Sequence, residues 1–320
     1  MFFIKSDISP YIKLNRIEFV VTHQCSGKCK HCSLGEELNQ KSSFKHVDAE
    51  KAVRAIEKLS QLFDIKSVMT FGGEPLLYPE VVCAIHAKAA ECGIGARQII
   101  TNGYFTQNAD KRKSVATDLK HAGVNNMLLS VDAFHQETIP KEIVYDFAKS
   151  ICNVGISDIK LHPAWVVNKN YNIHYNSATH DILAFFDDLK LETSEGNNIF
   201  LSGNANQYLS QYYDAPKLNL ADKCGTMPYT DPLTEISSVS INPNGDVMLC
   251  SFAIGNIYTE DIAGIIARYN PYNNNFTRAI LDGGVSTLLE YAENMNVHID
   301  TSKYYSTCDV CRNVMKQVVY

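Results

Sequence analysis

The stretch that decides the fold runs from Ile17 to Cys32. It reads Ile17-Glu18-Phe19-Val20-Val21, then Thr22-His23-Gln24, then Cys25-Ser26-Gly27-Lys28-Cys29-Lys30-His31-Cys32. The first five residues are mostly β-branched or aromatic and read as a short buried strand. A loop with three thiols in eight residues follows directly. Downstream, Asp48 can cap a helix whose apolar residues recur at Ala49, Ala52, Val53, Ile56, Leu59 and Phe63, a helical period. Lys66 to Phe71 is the next strand and ends in Gly72-Gly73-Glu74-Pro75. Pro79 suits the first turn of a second helix, with Val82, Ile85 and Ala89 inward.

The alternation continues. Ala96 to Thr101 is a third strand ending in Thr-Asn-Gly, followed by a helix from about Asn108 to His121. Asn126 to Val131 is a fourth strand and Pro140 to Asn153 a fourth helix, with Ile143, Val144, Phe147 and Ile151 on one face. Ile159 to Val167 and Ile199 to Ser202 are the expected fifth and sixth strands, separated by a helix around His180 to Leu191. Repeated β-then-α units imply a parallel sheet with helical crossovers. Six such units are too few for a closed eight-stranded barrel. The expected fold is therefore α/β, a partial (β/α)6 TIM-like barrel over residues 16–205 behind an N-terminal segment 1–15. After residue 205 the alternation stops. Ser237 to Ile241 and Asp246 to Cys250 flank Asn242-Pro243-Asn244-Gly245, a hairpin turn signal. Helices near Thr259 to Tyr269 and Asn275 to Asn294 complete an expected separate α+β unit over 206–320.

A formal net charge of −6 argues against a nucleic-acid partner. No apolar run is long enough to span a bilayer, and the first fifteen residues lack the apolar centre of a secretory signal. The expectation is a cytoplasmic protein with no membrane partner. Its thiols then stay reduced, and clustered cysteines point to metal rather than disulfides. The ten cysteines are clustered: Cys25, Cys29 and Cys32 share one loop, Cys308 and Cys311 form a pair, and Cys224 and Cys250 precede them. Cys83, Cys92 and Cys152 fall at inward helical spacings and read as buried structural thiols.

Three thiolates on one compact loop can bind three irons of a cubane and leave the fourth iron open. Zinc is the rival, with His31 or His23 as fourth ligand, although structural zinc motifs usually come as paired CxxC arms. The CxxxCxΦC spacing, with His31 at the position before the last cysteine, resembles the radical S-adenosylmethionine (SAM) superfamily. The resemblance implies a [4Fe–4S] cluster on Cys25, Cys29 and Cys32 whose open iron chelates SAM. One electron then splits the sulfonium into methionine and a 5′-deoxyadenosyl radical, which abstracts a substrate hydrogen. Gly72-Gly73-Glu74-Pro75 looks like the family's GGEP element, with glycines for close backbone approach and Glu74 as acceptor for the SAM ammonium.

Ser130 and Asp132 resemble positions that contact SAM's carboxylate or ribose, and residues two apart on a strand share a face. The plain alternative for Asp132 is a helix cap. Thr101 and Asn102 either line the SAM site or make a turn. His162 is read as a satisfied core histidine. All four strand ends lie where parallel β/α folds gather function. The adenine-contact motif has no clear match, Val154-Gly155-Ile156 being only a faint echo of it.

Cys224, Cys250, Cys308 and Cys311, with Gly245 supplying a Gx₄C step and Gly255-Asn256-Ile257 after it, look like a reduced SPASM/Twitch auxiliary region. This implies one further [4Fe–4S] cluster, with Cys₄ zinc as the alternative. The resemblance implies an oxidoreductase or maturase acting on a peptide or protein side chain, with a small molecule as the close second. A flavodoxin or ferredoxin is the implied electron donor. A reading of another class is a non-catalytic zinc-binding scaffold.

Overall fold

In the computed structural model, residues 8–35, 38–39, 43–214, 218–224, 230–250 and 252–318 are described. The strands are β1 (Ile12–Thr22), β2 (Ser67–Gly72), β3 (Ala96–Thr101), β4 (Asn126–Ser130), β5 (Asp158–His162), β6 (Ala164–Trp165), β7 (Glu192–Thr193), β8 (Asn197–Asn198), β9 (Ile236–Ile241), β10 (Asp246–Leu249) and β11 (Phe252–Asn256). The helices are α1 (Ala49–Leu62), α2 (Pro79–Glu91), α3 (Ala109–His121), α4 (Ala133–Gln136), α5 (Lys141–Val154), α6 (His174–Ala184), α7 (Asn204–Leu209), α8 (Ile262–Ala267), α9 (Asn275–Asn294) and α10 (Thr307–Val318).

One nine-stranded sheet carries the molecule, in the order β11-β10-β9-β1-β2-β3-β4-β5-β7. From β1 through β2, β3, β4 and β5 to β7 every pairing is parallel, the six-strand partial barrel that the alternation predicts. Local signals place the helices. Asp48 accepts from Lys51 N to cap α1, Asn108 accepts from Lys111 N to cap α3, and Gly155 ends α5 in the left-handed region. The expected apolar faces are buried: Ala52, Ile56 and Leu59 on α1, Val82, Ile85 and Ala89 on α2, and Val144, Phe147 and Ile151 on α5. Gly155 thus caps a helix, which accounts for the faint Val-Gly-Ile echo. Cys83, Cys92 and Cys152 are half-buried, less enclosed than their spacing suggested.

Four expectations need correction. β1 begins at Ile12, because Ile12 and Leu14 are buried in alternation with exposed Lys13 and Asn15, so the sheet reaches into the expected N-terminal segment. Ile159 to Val167 is not one strand: Pro163, which has no N–H to donate, separates β5 from β6, and β6 pairs only with β8 in a small second sheet. The sixth parallel strand is β7, not Ile199 to Ser202. That segment instead runs on from β8, with Ile199 N donating to Trp165 O, and packs toward the cysteine loop. The helix expected around His180 to Leu191 starts earlier, at His174, and ends at Ala184.

The C-terminal hairpin is also not a separate sheet. β9 lies parallel to β1, with Ile17 opposite Val239 and Phe19 opposite Ile241, and β10 and β11 extend the edge antiparallel. Ile236, Val239, Ile241, Val247 and Leu249 accordingly share the barrel's core. The helices beyond it have a core of their own, built from Leu233, Phe276, Ile280, Leu288, Val310 and Val314. This second cluster packs α9 against α10, and Phe252 of β11, its ring 4.9 Å from Phe276, joins it to the edge of the sheet. Among the described residues, no helix is long and apolar enough to cross a membrane.

Candidate active site at the strand ends

The cysteine loop leaves β1 and is tied down on every side. Thr22, fully buried, donates through Oγ1 to Lys45 O (2.6 Å) and accepts from Gln24 N (3.0 Å). Gly73 N donates to Thr22 O and Glu74 N to Gln24 O, each at 2.7 Å. These bonds explain the two glycines. A Cβ on Gly72 would sit 2.5 Å from Thr22 O, and one on Gly73 only 2.1 Å from Gln24 O. The close approach is therefore to the root of the cysteine loop, where the sequence suggested a ligand.

Glu74 does not face the open rim. Its side chain is fully buried; Oε1 accepts from Leu76 N (2.9 Å) and Thr101 Oγ1 (2.7 Å), and Oε2 accepts from Asn102 N (2.8 Å). Burial pushes this carboxyl up to about 7, with the three donors and His135 pulling it back. Where the sequence suggested an acceptor for the SAM ammonium, the carboxylate locks the Thr-Asn-Gly loop to the Gly-Gly turn. Buried Pro75 starts the 3₁₀ turn that Glu74 caps. Thr101, bonded to Glu74 and to Gly103 N, is likewise internal. Asn102 reaches the cysteines: Nδ2 lies 3.5 Å from Cys25 Sγ and 3.4 Å from Ser26 Oγ.

Asp132 is the helix cap, not a ligand-facing group. It is fully buried at the start of α4, where Oδ1 accepts from Phe134 N and His135 N at 2.9 Å and Oδ2 meets His135 Nδ1 (2.8 Å) and Ala164 N (3.1 Å). Burial alone would raise its carboxyl, but His135 outweighs burial and holds it well below the usual carboxylate range. Ser130 is buried at the end of β4, in register with His162 on β5. His162 is satisfied on both nitrogens, by Ser194 Oγ at 2.7 Å and Asn197 Nδ2 at 2.9 Å.

Several residues that the sequence reading passed over hold the loop. Asn39, in the left-handed region at φ 59, accepts from Cys25 N (2.9 Å) and donates to Cys25 O (3.3 Å). Asn204 donates from its backbone to Cys32 O (3.0 Å) and from Nδ2 to Cys29 O (3.2 Å). Gly203, at φ +56, lets the chain pass there, since a Cβ would lie 2.5 Å from Ser33 O. Thr138 Oγ1 accepts from Lys28 N, and Glu137 pairs with Lys30. Only the αL asparagine and glycine carried any local signal; the rest are long-range.

The loop's chemistry suits an iron–sulfur cluster. Gly27 N donates toward Cys25 Sγ at 3.3 Å, and a Cβ on Gly27 would lie 3.4 Å from Cys29 Sγ and 3.7 Å from Cys25 Sγ, so the glycine keeps the space beside the sulfurs clear. Burial, then the Glu74 carboxylate, pushes the Cys25 thiol up to about 12. Burial also raises Cys29. Metal binding must displace those protons, which couples loading to pH. His31 packs its ring 5.1 Å from Phe134 and 4.9 Å from His135, and its Nδ1 is buried without a partner. Burial holds His31 neutral, down to about 4. Cys29, His31 and His135 each bring one ligand atom within 4.8 Å of the others, the single such group among the described residues.

The second cysteine set meets around α10. Cys308 and Cys311 lie one turn apart, so they share a face. Burial pushes the Cys308 thiol up to about 11, with the charges of Cys250 and Cys224 adding to it. Cys311 is raised by burial and by the same neighbours, so the four thiols share one locality. Cys250 is exposed, at φ 54.

Comparison with known proteins agrees with this geometry. Residues 19–160 match the model of the Radical SAM superfamily. A probable GTP 3′,8-cyclase of Saccharolobus islandicus (strain L.S.2.15 / Lassen #1) is 28% identical over 164 residues, 49% of this chain and 49% of that protein. The GTP 3′,8-cyclase of Listeria welshimeri is 29% identical over 161 residues, 48% of this chain and 46% of its own length. The chain thus spans about half the length of the curated relatives it matches. Among solved structures, native anSMEcpe with bound AdoMet superposes with a TM-score of 0.55 at 13% identity, covering 95% of this chain and 96% of that one. BtrN in complex with AdoMet and 2-DOIA superposes at 0.50 and 16% identity, covering 94% and 92%. These likenesses show the fold. The thiol loop on β1, its Gly-Gly anchor on β2 and the partial barrel behind them make residues 19–160 a radical SAM domain.

Proposed function

We propose that the chain is a radical SAM enzyme that cleaves SAM reductively and abstracts a hydrogen atom from a small molecule. The observation that carries this is the meeting of three strand ends at the cysteine loop: the Gly-Gly turn of β2 clasps its root, and Asn102 after β3 reaches Cys25 Sγ. A [4Fe–4S] cluster on Cys25, Cys29 and Cys32 supplies, when bound, the electron that splits the sulfonium and yields the 5′-deoxyadenosyl radical. The chain's own part is placement. Asn39 and Asn204 fix the loop's backbone, and Gly27 N and Asn102 Nδ2 aim donors at the Cys25 sulfur. SAM is taken at the same rim by the Gly72–Gly73 backbone, Asn102, Ser130 and His31, while Glu74, Thr101 and Asp132 act from behind by holding loops.

A cavity of about 570 Å³ opens beside the loop, between Ser33 and Cys308, and is of small-molecule size. The curated relatives are named for a nucleotide reaction as well. Both support a small molecule over the peptide or protein side chain expected first. Residues 206–320 serve as an auxiliary unit of SPASM/Twitch type, with a second [4Fe–4S] cluster on Cys224, Cys250, Cys308 and Cys311, and a flavodoxin or ferredoxin supplies electrons. The shared locality of the four thiols supports this.

The test is anaerobic reconstitution followed by SAM and dithionite, with 5′-deoxyadenosine measured by mass spectrometry. Wild type should form it, and the Cys25→Ala/Cys29→Ala/Cys32→Ala variant should not; equal amounts from both refute the proposal. Two cubanes bring about eight irons per chain, whereas one cubane beside a zinc ion brings about four. Zinc without iron uptake leaves only the scaffold reading.

A further inference from the structure

The cavity between the barrel and α10 is lined by apolar Val167, Ile199 and Leu201 and by Tyr171, Tyr212 and Tyr305. Its charged lining residues are Asp214 and, on α10, Asp309 and Arg312. Asp309 is only 7% exposed, and its Oδ2 is buried with no hydrogen-bond partner. A buried carboxylate oxygen left unpaired costs about 1–3 kcal/mol or more, so its persistence in a cavity wall marks a place kept for a donor. Arg312 lies one turn further along the same wall, with Nη1 donating to Ser202 Oγ. No salt bridge joins Asp309 to Arg312 among the described residues, although i,i+3 positions are neighbours on a helix. Arg312 acts on the Asp309 carboxyl without forming a close ion pair with it, and both residues line the one cavity, so together they complement a ligand that carries both charges itself.

Resting on the radical SAM reading above, we propose that this cavity takes a free α-amino acid, its ammonium on Asp309, its carboxylate on Arg312 and its side chain against the tyrosines. A nucleoside triphosphate fits the wall less well. Its base and its phosphates are separated by the whole ribose, whereas the two side chains stand about 5–6 Å apart at Cβ. A triphosphate brought to Arg312 also meets the unpaired Asp309 carboxylate beside it. A residue inside a peptide has neither free charge to offer.

The experiment is isothermal titration calorimetry on the anaerobically reconstituted wild-type protein with SAM present. The twenty free amino acids are titrated one at a time, followed by the N-acetyl and methyl-ester derivatives of any that binds, and by GTP. The expected result is at least one binder that loses about tenfold or more in affinity on N-acetylation and again on esterification, the loss of one charged hydrogen bond each. Asp309→Asn should erase the discrimination against the N-acetyl derivative, and Arg312→Gln that against the ester, with iron per chain reported for each variant. The derivative series needs no variant, so a misfolded mutant does not spare the proposal. No amino acid binding, equal binding of the N-acetyl form, or binding of GTP alone overturns it. Failure of the radical SAM reading shows separately, as absence of iron or of 5′-deoxyadenosine whatever binds.

Discussion

Replacing Gly73 by alanine isolates the contact that roots the cysteine loop. Gly73 does not need a left-handed backbone, so the cost is purely steric. The new Cβ would lie 2.1 Å from Gln24 O and 2.6 Å from Gln24 C, both backbone atoms that no rotamer change can move. Restoring ordinary contact requires the Gly-Gly turn and the loop root to part by about 1 Å. That parting breaks the bonds from Gly73 N to Thr22 O and from Glu74 N to Gln24 O. Two backbone hydrogen bonds at about 0.5–1.5 kcal/mol each, with an overpacking cost of about 1–3 kcal/mol, place the loss at about 2–6 kcal/mol.

Gly93→Ala is the control. Gly93 lies at φ +75 with nothing within 4 Å of its Cβ position, so alanine there costs about 1–2 kcal/mol of backbone strain and no clash. Urea unfolding before reconstitution should show Gly73→Ala as the less stable variant. Iron per chain after reconstitution should fall sharply for Gly73→Ala and stay near wild type for Gly93→Ala. Equal unfolding midpoints and equal iron uptake in the two variants would refute the claim that the Gly-Gly turn holds the loop.

Three further predictions rest on other parts of the site. The Glu74 carboxyl, raised to about 7 in the fold from an ordinary 4.5, binds its proton more tightly in the native than in the unfolded chain. Its contribution is therefore full below pH 4.5 and is lost as pH rises through about 7, so wild type should lose up to about 3 kcal/mol relative to Glu74→Gln across that window. Urea unfolding of both proteins at acid and alkaline ends of the window checks this, and a pH-independent difference contradicts it. Asn204→Ala removes the Nδ2 bond to Cys29 O but keeps the backbone bond to Cys32 O, costing about 1 kcal/mol. Iron release to a chelator should quicken while total loading holds. Asp132→Ala strips a cap that serves Phe134 N, His135 N and Ala164 N, so thermal unfolding should show a loss of about 2 kcal/mol or more, with denaturation rather than SAM affinity as the primary defect.

Much of this molecule was legible because its signals are local. Helix periods, the Asp48 and Asn108 caps, Pro79 at a first turn and the Asn-Pro-Asn-Gly hairpin each act over a few residues, and each appears where the pattern put it. The cysteine spacing likewise announced its loop, because three thiols within eight residues are themselves a local signal. Strand partners were less legible. Nothing within Ile236 to Ile241 says that it will lie beside β1, because a parallel pairing across more than two hundred residues depends on the edge the barrel leaves open. Two-residue strands such as β7 carry too few residues for any period to show.

The sequence by itself determined the class of fold, the β-then-α alternation through the first five strands and the place of the thiol loop after β1. Only the tertiary structure decided what Glu74 and Asp132 do. Both residues stand at strand ends where a ligand-facing acid was expected, and the fold turns both inward, because buried backbone N–H groups of neighbouring loops must find acceptors. It likewise brought Asn39, Asn204 and Asp309 to their places, since a residue's use depends on which distant groups the packed chain leaves unpaired beside it.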